Sequence, residues 1–161
     1  MGNPGPLQFR QTMQNTIKTI LTAKRKSFLT SKPIFHFHAP ATEMDLFLTA
    51  RRLDCKLMVG LCQWLRAAGY GEINDTLIFR DDYFSTITQG ALSGYITFAR
   101  DEVGNAYAFK PQEGSIYFVS LHENAYARMA DDFHAFLQEL VQRNYNLPEW
   151  RESLVMTRDD G

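Results

Sequence analysis

Gly94-Tyr95-Ile96-Thr97-Phe98-Ala99, then Ala106-Tyr107-Ala108-Phe109, then Ser115-Ile116-Tyr117-Phe118-Val119-Ser120-Leu121 are short runs rich in Tyr, Phe, Ile and Val. Such residues suit a pleated, half-buried surface. Asp101-Glu102-Val103-Gly104-Asn105 links the first two runs, and Pro111-Gln112-Glu113-Gly114 links the last two. Both links are made of turn residues. Links this short join only antiparallel neighbours, because a parallel crossover needs about a dozen residues or more. The stretch predicts a meander of three or four strands. Leu77-Ile78-Phe79 reads as a further strand upstream.

Helical spacing flanks the meander on both sides. Phe133, Phe136, Leu137, Leu140 and Val141 share one face of a helix predicted from about Ala127 to Arg143. Asp131-Asp132 opens it, where acids offset the helix dipole. Leu147, Pro148 and Trp150 are expected to fold back, and the tail to fray from Thr157. On the other side, Leu57, Leu61, Trp64, Leu65 and Ala68 line a helix that ends at Gly69. Before it, Thr42 is placed to cap a helix with Glu43 and Asp45 in its first turn. Met44, Phe47, Leu48 and Leu53 are expected to face inward there. Ile34 to His38 alternates apolar residues with His, as an extended segment does. Phe9, Met13, Ile17, Ile20, Leu21 and Phe28 predict an amphipathic helix from about Leu7 to Lys26, after a loose end at Gly2–Pro6. Helices, then a meander, then a helix argue for an α+β domain over a parallel α/β sheet. The expected organisation is a basic N-terminal arm over residues 1–41 and an α+β domain over 42–161.

The 161 residues fit one domain, and 45% apolar content is ample for a core. No apolar run is long enough to span a bilayer, and Lys18 and Lys24-Arg25-Lys26 break any secretory signal. Cys55 and Cys62 lie about two turns apart on a helix, too far to bridge, which suits reduced thiols in the cytoplasm. The charge is unevenly spread. Six bases and no acid precede Glu43, while the remainder holds 18 acids and 11 bases. The basic arm invites two other readings, a mitochondrial transit peptide and a phosphate-binding patch. The acidic body argues against nucleic acid.

Catalytic and metal signals are thin. No phosphate-binding glycine loop, zinc-protease helix or nucleophile elbow is present. His36-x-His38 puts two imidazoles on one face of a strand, but a metal site needs three or four ligands, and His122 and His134 are remote in sequence. Asp81-Asp82 and Asp101-Glu102 could pair as catalytic carboxylates, yet adjacent acids in turns are ordinarily solvated. No catalytic residue, metal or cofactor is assigned.

Five pieces resemble the SUKH superfamily, and in particular its Smi/Knr cell-wall-assembly-regulator branch. They are Leu53-Asp54-Cys55-Lys56-Leu57, Leu61-x-x-Trp64-Leu65-x-x-Ala68-Gly69-Tyr70-Gly71, Phe98 to Phe109 with its Asp101-x-x-Gly104-Asn105 turn, Gly114 to Val119, and Ala130 to Leu137 with its Phe133-x-x-Phe136-Leu137. The resemblance covers roughly Thr42 to Tyr145. The family often has Gly where Asp54 stands and Pro where Met58 stands, and it does not account for the arm. It implies a sheet with helices packed on it and no catalytic residues. It also implies binding to a protein, either a cognate bacterial toxin of nuclease or deaminase type or cell-wall and signalling machinery served by an adaptor.

An immunity protein with an acidic body would approach a basic toxin under electrostatic steering. The expected contact residues are Tyr70, Glu72, Asp75, Asp81, Asp82 and Tyr83, in a loop from Gly69 to Asp82, joined by Asp101 and Glu102.

Overall fold

The computed structural model describes residues 6–160, with side chains from Thr12 onward. The loose end expected from Gly2 lies outside the described residues, as does the side chain of Phe9.

The first helix, α1 (Pro6–Thr22), buries Met13, Ile17 and Ile20. These residues join the main core, so the stripe of α1 packs on the body. The helix stops four residues before the expected end. Lys24–Lys26 (β1) instead pairs antiparallel with Ser31–Pro33 (β2) in a small hairpin. Three consecutive cations offer no apolar face for the helix to bury, whereas the turn at Ser27–Thr30 closes on its own hydroxyls. The extended segment follows as β3 (Phe35–Ala39).

The helix α2 (Glu43–Leu53) begins with a reciprocal cap, as expected. The Thr42 hydroxyl accepts from Asp45 N, and Asp45 accepts from Thr42 N. The face that turns inward is not the expected one. Leu46 and Thr49 are buried, while Met44, Phe47 and Leu48 are each more than half exposed. The sequence of α2 is apolar on two sides, and tertiary bonds select between them. Thr49 Oγ1 donates to Asp81, and Arg52 donates to Phe84 O. The helix α3 (Val59–Ala68) buries Leu61, Trp64, Leu65 and Ala68 and ends at Gly69, whose φ is +77°.

Four short elements follow: β4 (Tyr70–Ile73), β5 (Leu77–Phe79), a 3₁₀ turn (Asp81–Tyr83) and β6 (Ser85–Thr86). The segment expected as a loop is therefore a hairpin followed by a turn. The meander is β7 (Ile96–Asp101), β8 (Ala106–Phe109), β9 (Ile116–Ser120) and β10 (Ala125–Ala130). The last of these corrects the expected helix start at Ala127. Ala125 and Ala127 are buried and Tyr126 and Arg128 turn outward, a period of two, and the helix begins only when Asp132 caps it. That helix is α4 (Phe133–Gln142), followed by α5 (Leu147–Ser153) with Pro148 in its first turn. The tail does not fray as expected. Thr157–Arg158 (β11) pairs with β10, and Asp159 accepts from Ala91 N.

Among the described residues the main sheet is antiparallel throughout, in the order β11-β10-β9-β8-β7-β5-β4-β3, with β6 added beside β7. Helices pack on one face, giving the α+β class that the sequence predicts. The core is an aromatic chain between sheet and helices. Trp64 meets Phe79 at 5.8 Å, Phe98 meets Phe133 at 5.8 Å, and Phe136 meets Trp150 at 5.3 Å between ring centroids. Each such side chain contributes about 1.5–3 kcal/mol by leaving water.

Candidate functional site

The eight expected contact residues fall into distinct settings. Asp101 ends β7 with its side chain wholly buried. Its carboxylate accepts from Val103 N, Asn105 N, Asn105 Nδ2, the Tyr107 hydroxyl and Arg151 Nη1, at 2.9–3.3 Å. Arg151 also forks onto Glu102, at 2.8 and 3.3 Å. The carboxylates hold the Arg151 guanidinium even more firmly protonated than usual, with the Glu102 hydrogen bonds leading. Burial, then the charge of Asp101, pushes the Tyr107 hydroxyl far up. Asp101 thus pins the β7–β8 turn and α5 together from inside and offers nothing to a partner. Glu102 lies at its outer edge.

Tyr70 is also inside. Burial, then the negative charge of Asp81, raises its pKa to about 12. Its hydroxyl has no hydrogen-bond partner among the described residues. Glu72, cross-strand from His36 and Ile78, sits 3.2 Å from His38 Nε2. The His36 and His38 rings meet edge to face at 5.3 Å. No group of three or more His, Cys, Asp or Glu residues among the described ones could hold a metal ion. Asp75, exposed at the β4–β5 turn, takes Arg25 of the basic hairpin at 3.3 Å.

Asp81, Asp82 and Tyr83 do come together, in the 3₁₀ turn at the far end of β5. Arg80 forks onto Asp82 with two bonds of 3.0 Å. The Tyr83 ring lies against two guanidiniums, Arg100 at 4.7 Å and Arg80 at 5.4 Å. Asp81 is bonded to Thr49 of α2. Asp81 is thereby tied to the inward face of α2, where Thr49 is buried.

That neighbourhood holds what the sequence reading missed. Met44, Phe47 and Leu48, at i, i+3 and i+4, form an apolar stripe on the outer side of α2. Glu43 pairs with Arg66, tying the start of α2 to the end of α3, where the half-exposed Phe37 lies over Gly69. A monomeric surface rarely clusters large apolar residues this way except at a contact site. Arg80 and Arg100 were also missed. Residues alternating outward along the strands were the available signal for Arg100. The surplus of apolar residues on α2 was the signal for the stripe.

A cleft of about 570 Å³ opens between Leu53–Gly60, the Phe109–Gly114 turn and the start of α4. Two of its lining groups titrate with a shift. Burial, helped by Asp54, pushes the Cys55 thiol up, and burial pulls the His134 imidazole down. Both shifts favour the neutral forms. A thiol held as a thiol is not an activated nucleophile.

The fold, with a sheet backed by helices and an Asp101-centred turn in its middle, can be compared with known families. The family model described as SMI1 / KNR4 family (SUKH-1) matches residues 40–139, more than half of the chain. The chain belongs to the SMI1/KNR4 family. No curated protein and no solved structure matches it significantly. The SMI1/KNR4 match covers α2 through most of α4, and therefore both the α2 stripe and the Asp81–Tyr83 turn. It begins after α1 and the basic hairpin.

Proposed function

We propose that this SMI1/KNR4-family chain is a non-catalytic immunity protein that binds and neutralises a cognate bacterial toxin of nuclease or deaminase type in the cytoplasm. The observation that carries the reading is the exposed stripe of Met44, Phe47 and Leu48 on α2, the helix that Thr49 bonds to the acidic 3₁₀ turn. Tight interfaces combine large apolar or aromatic anchors with a charged rim. The stripe supplies the anchors, and Asp81 and Asp82 supply the rim. Tyr83, with two guanidiniums against its ring, is an aromatic of the same turn. Glu72, Asp75 and Glu102 are already paired within the fold, to His38, Arg25 and Arg151. Tyr70 lies close to Asp81 from within, while Asp101 serves the fold at the other end of β5.

A toxin that handles nucleic acid presents cations to its substrate, and the acidic rim would steer it into register. The test is co-expression and calorimetry with the C-terminal domain of a toxin encoded beside this gene. One-to-one binding in the nanomolar range or tighter, with growth restored, supports immunity. Asp81→Lys with Asp82→Lys should then slow association about tenfold at low salt. Phe47→Ser with Leu48→Ser should raise the dissociation rate. Binding to another protein without rescue would instead favour an adaptor of cell-wall or signalling machinery.

A further inference from the structure

The β1–β2 hairpin breaks two local rules at once. Its turn, Ser27-Phe28-Leu29-Thr30, carries two large apolar side chains where turn chemistry favours polar ones. Phe28 is 99% and Leu29 85% exposed. The turn is held by Ser27 N donating to Thr30 O at 2.8 Å and by the two hydroxyls at 2.8 Å. The serine and threonine thus bond each other across the base of the turn, leaving the apolar pair at its tip.

The strands break the second rule. Arg25 stands directly opposite Lys32, a like-charge pair that opposes strand pairing. Lys24 and Lys26 flank Arg25, and all six of these strand residues are exposed. Arg25 is answered by Asp75 and Asn74. Lys24, Lys26 and Lys32 face no carboxylate within ion-pair distance among the described residues. The fold itself has no use for an apolar tip on a cationic stalk.

We propose that this hairpin docks on an anionic lipid bilayer, with Phe28 and Leu29 entering the interface and Lys24, Lys26 and Lys32 meeting the headgroups. The dimensions agree. Lys26 is two residues from Phe28 and Lys32 three from Leu29, which at about 3.3 Å per strand residue sets these two cations some 7–10 Å behind the tip, with Lys24 about 13 Å behind it. Apolar faces of surface-bound segments enter the headgroup boundary by about 5–10 Å. A convex tip needs no matching pocket in a bilayer. The charge distribution also orients the molecule, because every acid of the chain lies from Glu43 onward and the body is repelled by the same surface that attracts the hairpin. Leu29 has no π-face to stack on a base, which disfavours single-stranded nucleic acid as the occupant. Docking of this kind requires no spanning helix, and no helix among the described residues is long and apolar enough to be one.

The experiment is co-sedimentation of the full chain with vesicles of phosphatidylcholine alone and of phosphatidylcholine mixed with phosphatidylglycerol, without any toxin present. The chain should pellet with the anionic vesicles only, and less as salt is raised. Phe28→Ser with Leu29→Ser should weaken binding about tenfold, and Lys24→Glu with Lys26→Glu should abolish it. Both double variants change exposed residues, and an unchanged circular-dichroism spectrum verifies their fold. No pelleting with anionic vesicles, equal pelleting with neutral ones, or no effect of the tip variant would each overturn the proposal. Loss of a protein partner by the tip variant, with no vesicle binding, would overturn it too and assign the hairpin to that partner.

Discussion

Asp101 is the residue whose structural role is most open to measurement. Replacing it with Ala removes an acceptor for five donors inside the fold. The Tyr107 hydroxyl and Asn105 N are then left buried without a partner, each at about 1–3 kcal/mol. Arg151 keeps Glu102 but loses its buried carboxylate. Breaking one side of a buried ion pair costs about 3–5 kcal/mol, and that range is the expected loss for Asp101→Ala. Trp64 and Trp150 are both buried, so tryptophan fluorescence reports unfolding. With a slope of about 2 kcal/mol per molar urea, the midpoint should fall by roughly 2 M. Arg151→Ala in the Asp101→Ala background should cost much less than it does alone, because both remove the same contact. A loss below about 1 kcal/mol for Asp101→Ala would show that the network is not what joins α5 to the sheet. A large fall in partner affinity without loss of stability would return Asp101 to the interface.

Other substitutions probe separate parts of the fold. Tyr70→Phe removes a buried hydroxyl that lacks a partner and should leave stability at neutral pH unchanged or slightly raised. The folded Tyr70 pKa of about 12 lies above the ordinary value, so the native state holds its proton more tightly than the unfolded chain. Tyr70 therefore contributes a loss of stability as pH rises from about 10 through 12, and Tyr70→Phe should flatten that part of an alkaline denaturation profile. At Gly71 an added Cβ would strike His36 O and come within 2.7 Å of Phe35 Cζ, so Gly71→Ala should displace β3 and cost at least about 2 kcal/mol, read by chemical denaturation. Thr42→Ala should cost about 1 kcal/mol through loss of the cap on α2, checked by thermal melting. Met44→Ser with Phe47→Ser should change stability by less than about 1 kcal/mol, against several if these side chains were core.

The sheet was legible because its strands are short, aromatic and separated by unmistakable turns. Phe98, Tyr107, Phe109 and Phe118 are buried in those strands. Gly69, Thr42 and Asp132 marked helix ends through local backbone chemistry, and local chemistry survives tertiary context. What stayed hidden was decided at a distance. Nothing within α2 says that Leu46 goes in and Phe47 stays out, because the choice rests on bonds from Thr49 and Arg52 to residues some thirty positions on. Ala127 could serve a helix or a strand, and only pairing with Phe118 selects the strand. The candidate contact residues were chosen for charge and turn setting. That suits Asp81 and Asp82, but it could not separate them from Asp101, whose five donors come from a turn, a strand and a helix.

The two ends of the sheet are unlike. At one end β11 is only two residues long and is fastened by Asn124 to the Asp159 carbonyl. At the other, β3 runs for five residues with its last four exposed and no further strand beside it among the described residues. Very short edge strands are poor templates, whereas longer open ones accept a neighbour. Recruitment of another chain by ladder extension is thereby confined to one side. Two molecules meeting β3 to β3 would use up both open ends, so growth by this route would terminate at a pair and could not continue into a fibre.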